Sequence, residues 1–200
     1  MHTDLRNEIK NSFYSIEKDI MTILTKLFVN NPKKDDLLRL LMINNKDCLD
    51  DLENEEYKKI ISSVNLRTLR ELGYIKLEPK LGFEEFPEVK NHIVISFDNY
   101  VQNATNPEFR DNTISFDIIC HTDYWDIGNC RLRPFKIMGI IDAMLNKSKL
   151  SGIGTLQFIG AQELILNQEL SGYTLTYVAI HDGDDRNPLT PAEMAEANGQ

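Results

Sequence analysis

The chain contains few cysteines, and they show no pattern that builds a disulfide framework. The three cysteines, Cys48, Cys120 and Cys130, are an odd number, lie far apart and include no CxxC pair. This usage is typical of reduced thiols in a cytosolic setting. The sequence also lacks an apolar signal region at its start and any apolar run approaching the roughly 18 residues of a transmembrane helix. We therefore expect a soluble protein that is not secreted by the ordinary route and does not enter a membrane.

An excess of positive charge is also absent. The 22 lysines and arginines are outnumbered by 31 acidic residues, which gives a formal net charge of -9. Residues 182–200 alone hold five acidic side chains and one basic side chain. Proteins that read nucleic acid usually present a basic face, because neutralising phosphates supplies much of their affinity. The charge balance therefore argues against a nucleic-acid reader, although an acidic protein can still lie beside DNA without gripping it.

No set of residues typical of an active site or a cofactor site stands out. The glycine-containing segment at 151–154 is not followed by GK[ST] and precedes a predicted strand, which indicates a plain turn. Cys120 and His121 point to opposite faces of one predicted strand, so even with His181 they are poorly placed for one metal ion or for nucleophilic catalysis. The carboxylates at 182–185 fit a solvated terminus, with calcium binding left open. We expect a protein that is not an enzyme and has no cofactor or metal.

The first 90 residues show mainly helical periodicity. Apolar residues recur there at steps of three and four, and acidic residues stand where the positive end of a helix dipole favours them. The predicted elements are helices at Asp4–Val29, Asp35–Met42 and about Asn54–Val64, followed by an ambiguous stretch from Leu66 to Pro87 in which Tyr74, Ile75 and Leu77 offer a short strand.

After residue 90 the pattern changes to strands around one helix. The predicted elements are strands at His92–Asp98 and Thr113–Cys120, a helix at about Arg133–Asn146, a strand pair or one bulged strand around Gly160 (Leu156–Ile159 and Glu163–Asn167), a turn at Ser171-Gly172 and a strand at Tyr173–His181. The fold class is therefore α+β, with an antiparallel sheet and a packed helix in the order β-β-α-β-β, preceded by an N-terminal helical region. We divide the chain into a helical region (1–90), an α+β core (91–181) and an acidic C-terminal arm (182–200).

Two polar loops carry residue types that are enriched at protein–protein interfaces. Arg110 lies in a predicted loop between strands, and Tyr124 and Trp125 lie in the next loop. Arg131 and Arg133 stand at the start of the helix, where the dipole makes cations mildly unfavourable. Ordinary surface chemistry is the simpler explanation, and the alternative is that these arginines and aromatic residues contact a neighbouring subunit. The five residues form our candidate subunit interface.

The block from about Asn91 to His181 resembles the tail-terminator proteins of tailed bacteriophages, a family of the tail-completion or neck type. The segments that carry the resemblance are HIVISFDNY, NPEFRDNTISFDIIC, RLRPFKIMGIIDAMLN, GIG and YTLTYVAIH. They follow the family's order of strand, long loop, strand, helix, hairpin and a final strand with two tyrosines. The helical first 90 residues depart from the family, since many terminators are shorter.

The resemblance implies a structural protein of the virion that is assembled in the host cytoplasm. Terminators form rings, usually hexamers, which cap the tail tube at its head-proximal end and join it to the head connector. The expected partners are therefore other copies of the chain, tail-tube proteins and head-connector proteins. DNA would pass through the ring's lumen without specific binding, and an acidic lumen would help because it repels phosphates.

Other interpretations stay open. A head–tail adaptor or a tail-tube protein fits the same block, and the N-terminal helices favour an adaptor because helices can dock on another ring. A small-molecule-binding regulatory module of a bacterium would require a sizeable apolar pocket lined by polar groups. An unrecognised enzyme is the remotest alternative.

Overall fold

The computed structural model describes residues 16–77, 90–102, 110–150 and 153–180. The predicted start of the first helix, His181 and the acidic arm at 182–200 lie outside these residues. The helices are α1 (Ile16–Phe28), α2 (Lys34–Met42), α3 (Glu55–Ser62), α4 (Leu66–Glu71) and α5 (Arg133–Leu145). The strands are β1 (Ile75–Lys76), β2 (Asn91–Gln102), β3 (Arg110–His121), β4 (Lys149–Leu150), β5 (Gly154–Ile165) and β6 (Leu170–Ile180).

Asparagine caps fix the starts of the two short helices. The side chain of Asn54 accepts hydrogen bonds from the backbone N–H groups of Glu56 and Tyr57 at the start of α3. The side chain of Asn65 accepts one from Thr68 N at the start of α4. Such caps satisfy N–H groups that have no partner within the helix. Helix α4 occupies part of the stretch that was ambiguous in the sequence, and the short strand predicted after it is β1.

The six strands form one sheet in the order β1-β2-β3-β6-β5-β4. The pairs β2–β3, β3–β6, β6–β5 and β5–β4 are antiparallel, and β1 runs parallel to β2. Helix α5 packs on β3, β5 and β6. The predicted α+β class, with a mainly antiparallel sheet and helices at the N-terminal end, is confirmed.

Strand β5 is one continuous bulged strand, which was one of the two predicted alternatives. The register between β5 and β6 shifts between Phe158 and Gly160. Strands β2 and β3 are longer than predicted, because Val101 and Gln102 pair with Asp111 and Arg110 beyond a second irregularity. Polar residues that indicated a loop therefore extend the hairpin.

The turn predicted at Ser171-Gly172 was wrong, since both residues lie within β6. The backbone of β3 passes so close to Gly172 that a Cβ there would lie 1.7 Å from the carbonyl oxygen of Ile118. Glycine is therefore required by a close approach of two strands, a role that its turn preference obscures. The chain turns instead between β5 and β6, where Asn167 Oδ1 accepts hydrogen bonds from Glu169 N and Leu170 N.

One hydrophobic core joins the N-terminal helices to the sheet. It includes buried residues of α1 and α2, such as Leu24 and Leu41, together with Phe116 and Tyr177 of the sheet. The apolar stripe of α5 lies on this core: Ile137, Ile141 and Leu145 are fully buried, and Ile140 and Met144 pack against the same core while partly buried. The predicted division of the chain at residue 90 stays a prediction. In the part of the chain that is described, no helix is both long enough and apolar enough to cross a membrane.

Candidate assembly surfaces

Arg133 is buried at the point where α5 meets the helical region. Its side chain is fully inaccessible to solvent. Its Nε donates to Tyr124 O at 2.7 Å, its Nη2 donates to Asn45 O at 3.0 Å, and its Nη1 donates to Leu40 O. Leu40 lies in the last turn of α2, where carbonyl groups lack helical partners and the dipole is negative. The guanidinium is thus held by backbone oxygens within the chain, so it is not available for the predicted contact with a neighbouring subunit.

Two more arginines hold the same connection between α2 and α3. Arg131 forms a two-pronged ion pair with Asp50, and this contact lowers the pKa of the Asp50 carboxyl. Arg39 is buried and donates to Asp51 O at 3.0 Å. We call Arg39, Arg131 and Arg133 the arginine cluster. It links the segment between α2 and α3 to the start of α5 and the loop before it. Arg131, like Arg133, therefore makes its contact within the chain.

The turn before Arg131 explains how its side chain reaches Asp50. Gly128, Asn129 and Cys130 have φ angles of 74°, 52° and 58° in succession. These left-handed residues reverse the chain, and Gly128 O accepts a hydrogen bond from Arg131 Nε at 3.2 Å. Glycine and asparagine adopt such angles more readily than most residues.

Tyr124 and Trp125 stay at the surface as predicted interface residues. Both are half-buried. The Trp125 ring lies 6.4 Å from that of Tyr173 on β6, which lies 4.9 Å from the ring of Phe135 on α5, measured between centroids. Phe135 is 46% exposed. The loop and α5 thus present an aromatic cluster (Trp125, Phe135 and Tyr173) of the kind that is enriched at interfaces. Whether a second subunit covers it stays a prediction.

Arg110 begins β3, opposite Gln102 of β2. It therefore lies at the end of the β2–β3 hairpin, far along the chain from the arginine cluster. Its side chain lies outside the described part of the structure.

The buried thiols lie next to the arginine cluster and are poor nucleophiles. Burial raises the pKa of Cys120 to about 12. Burial also raises the pKa of Cys48, although the nearby guanidinium of Arg133 opposes the shift. Reactive cysteines have lowered pKa values. The raised pKa values of Cys48 and Cys120 are therefore typical of thiols that serve to pack the core. Among the described residues, no three His, Cys, Asp or Glu side chains are grouped so that they could hold a metal ion.

The β5–β6 hairpin extends beyond the core and exposes apolar side chains that sequence reasoning missed. Phe158, Ile159 and Ile165 of β5 are 41%, 61% and 67% exposed. Leu156, at the start of the same strand, is fully buried. The sequence does show large apolar side chains on both sides of the bulge. Such a pattern predicts a buried strand as readily as an exposed one, so it could not reveal the exposure of these residues. Contiguous exposed apolar groups mark interaction sites.

The edge of β5 is also open. Strand β4 pairs only with Gly154 and Thr155, and the side chain of Asn146 accepts a hydrogen bond from Phe158 N. From Ile159 to Ile165 no strand within the described ranges pairs with the side of β5 that faces away from β6. Natural proteins usually protect such an edge with lysine, proline or several charges. This segment has Glu163 as its single charged residue and no proline.

The face of the sheet opposite α5 is polar along most of β3 and β6. Thr113, Ser115 and Asp117 of β3 alternate with core residues, and Thr174 Oγ1 donates to Asp117 Oδ1 at 2.6 Å. We call this the hydroxyl face. Its described side chains on β2, β3, β5 and β6 include two aspartates, Asp98 and Asp117, and no lysine or arginine. Lys76 of β1 and Lys149 of β4 lie on the same face, on the two outer strands.

A cavity of about 190 Å³ lies between the ends of the N-terminal helices. The lining residues are Phe28, Val29, Lys34, Leu38, Val64, Asn65, Leu66 and Leu69. Ligand pockets usually measure about 300–1,000 Å³. This cavity is therefore too small to be the sizeable pocket that the small-molecule alternative requires.

Comparison with known proteins gives one match. The sequence model of the YomW family matches residues 34–179, which include all the described helices except α1 and all the described strands apart from the last residue of β6. YomW is a phage-derived name, so the match associates the chain with phages and supports the resemblance at that level. No curated protein and no solved structure matches the chain.

Proposed function

Because the chain belongs to the YomW family, we propose that it is a structural, non-enzymatic protein of a tailed-phage virion. It forms a ring at the head-proximal end of the tail, caps the tail tube and joins it to the head connector. The observation that carries this proposal is the projecting β5–β6 hairpin, with its open edge and the exposed Phe158, Ile159 and Ile165. Such a surface suits repeated association with protein partners.

The hydroxyl face supports a role beside DNA without binding it. On the four central strands the described part of this face offers hydroxyls and two aspartates and no cation that would neutralise phosphates, since its lysines, Lys76 and Lys149, lie on the two outer strands. If this face lines the lumen of the ring, duplex DNA can slide past it because repulsion keeps the backbone from sticking. Tight binding of duplex DNA by the assembled ring would contradict this role.

The arginine cluster supports a role for the N-terminal helices in the same assembly. It ties the segment between α2 and α3 to α5 and its preceding loop, so the helices move with the sheet as one part. They are then placed to present a fixed surface to a second ring. This feature also suits a head–tail adaptor, which is the second candidate.

Gold labelling of the phage distinguishes these positions. Particles that carry a tagged copy of the chain are incubated with tag-specific gold beads and imaged. We expect label at the head-proximal end of the tail, and no label on particles with the untagged chain. Label along the whole tail would favour a tail-tube protein, and particles without label would contradict a virion role.

A further inference from the structure

The open edge of β5 has a complementary edge within the same molecule. Strand β1 pairs with β2 only at Ile93 and Val94. From Ser96 to Gln102 no strand within the described residues pairs with the side of β2 that faces away from β3. The two open segments, Ile159–Ile165 and Ser96–Gln102, therefore have the same length and lie at opposite edges of the sheet. Ser96 shares a row of the sheet with Gly160, so a second copy must be displaced along the strands for the two segments to face each other. An open edge is a row of unpaired N–H and C=O groups whose natural partner is another strand.

The directions of the two edge strands also agree. Each neighbouring pair in the series β2, β3, β6, β5 is antiparallel, so β2 and β5 run in opposite directions. A second copy in the same orientation, placed beside β5, would present its β2 antiparallel to β5. The sheet would then continue from one copy into the next with the hydrogen-bond pattern that it already has.

The side chains of the two edges are mainly apolar on the side of α5 and mainly polar on the hydroxyl face, with Glu163 and Leu164 of β5 as the exceptions. On the side of α5 both edges carry large apolar side chains. Phe97 of β2 is partly buried against the core, and Phe158 and Ile165 of β5 are exposed. On the hydroxyl face, Asp98 of β2 would meet Gln162 of β5, so these two polar side chains lie side by side, and Ile165 would lie opposite Ile95, clear of the residues that pair with β1. A one-residue slip would place apolar groups on the polar face, which favours a single pairing register.

We infer that β5 of one copy pairs with β2 of the next copy, so that the sheet runs through the assembly. This inference rests on the proposed function and names the partner at the exposed hairpin as a second copy of this chain. The contact is head-to-tail, because it joins two different edges. Head-to-tail contacts form a ring when the rotation between copies closes, and the twist of the sheet supplies a rotation at each contact. A two-fold contact between two β5 strands would instead stop at a dimer.

Cross-linking of two single-cysteine variants tests the pairing. Both carry Cys130→Ser, which removes the exposed native thiol, while Cys48 and Cys120 are buried. Asp98→Cys chains and Gln162→Cys chains are mixed and treated with a short bismaleimide. We expect about tenfold more cross-linked dimer in the mixture than with either variant alone, since only the mixture joins different edges. Ser63→Cys, an exposed position outside the sheet, replaces Asp98→Cys as the matched control and should give no cross-link with Gln162→Cys.

The outcomes separate this inference from the proposed function. Efficient cross-linking of Gln162→Cys alone would overturn head-to-tail pairing in favour of a two-fold contact. No cross-link in any mixture, while the chain is found at the neck of the particle, would overturn the strand pairing and leave the proposed function standing. Cross-linking in the mixture together with absence of the chain from virions would support the pairing and refute the virion role.

A charge substitution gives an independent readout. Ile159→Lys places a protective charge at the β5 edge without touching the core, and should reduce the cross-linked dimer about tenfold. Leu52→Lys changes an exposed leucine outside the sheet and should leave the yield unchanged. Equal yields from the two lysine variants would contradict the inference.

Discussion

Replacing Arg133 with alanine should cost more stability than any other single change in the arginine cluster. The side chain is fully buried, and its guanidinium donates hydrogen bonds to the carbonyl oxygens of Leu40, Asn45 and Tyr124. Hydrogen bonds to a charged group are each worth about 1.5–3 kcal/mol. Because such contributions are not additive and water can enter the vacated space, we expect a loss of about 4 kcal/mol in the free energy of unfolding, against a usual total of about 5–15 kcal/mol.

The assay is urea unfolding, followed by the fluorescence of the chain's single tryptophan. That residue, Trp125, lies in the loop before α5 and reports on the same region. Arg131→Ala is the matched control, since its ion pair with Asp50 lies at the surface and should contribute far less. Arg133→Lys should fall between the two, because an ammonium keeps the charge and loses the planar fork. A smaller loss for Arg133→Ala than for Arg131→Ala would refute the buried role.

Three further predictions, on the glycines, on Asp19 and on the cysteines, test separate parts of the fold. Gly172→Ala should prevent correct strand pairing, which circular dichroism would show as a loss of the folded fraction. At Gly139 an added Cβ meets nothing within 4 Å, so Gly139→Ala should raise the free energy of unfolding by about 0.5–1 kcal/mol. Burial raises the pKa of Asp19 from 3.8 to about 7, so the folded state binds the proton more tightly and stability should fall as pH rises from about 4 to 7. Asp19→Asn should flatten that part of the stability–pH curve, and an unchanged slope would argue against the buried carboxyl. Maleimide should label Cys130 quickly and Cys120 only after unfolding, as mass spectrometry can show.

Local patterns predicted the parts of the fold that have a period. The alternation in β3 placed Ile114, Phe116 and Ile118 on one face, and all three are fully buried. The apolar stripe of α5 and the start of that helix near Arg133 were also predictable, since Pro134 suits the first helical turn. These elements follow from the sequence because the side-chain period and the capping residues are local.

The errors arose where distant backbone decides the outcome. Gly172 resembles a turn residue, and only the approach of β3 explains why it lies within a strand. Arg133 resembles an exposed residue at a helix start, but two of its acceptors, Leu40 and Asn45, lie some ninety positions earlier in the chain. No local pattern reveals such partners. The exposure of Ile159 and Ile165 was equally hidden, because it depends on how far α5 covers the sheet.

The most direct test of the account is an electron cryo-microscopy map of the native phage neck. We expect a closed ring of this chain at the head-proximal end of the tail. In that ring β5 of each copy would lie beside β2 of the next copy, and the hydroxyl face would line the lumen. A ring in which those two edges do not meet would contradict the strand pairing, and a basic lumen would contradict the role given to the hydroxyl face. A neck without this chain would contradict the proposed function itself.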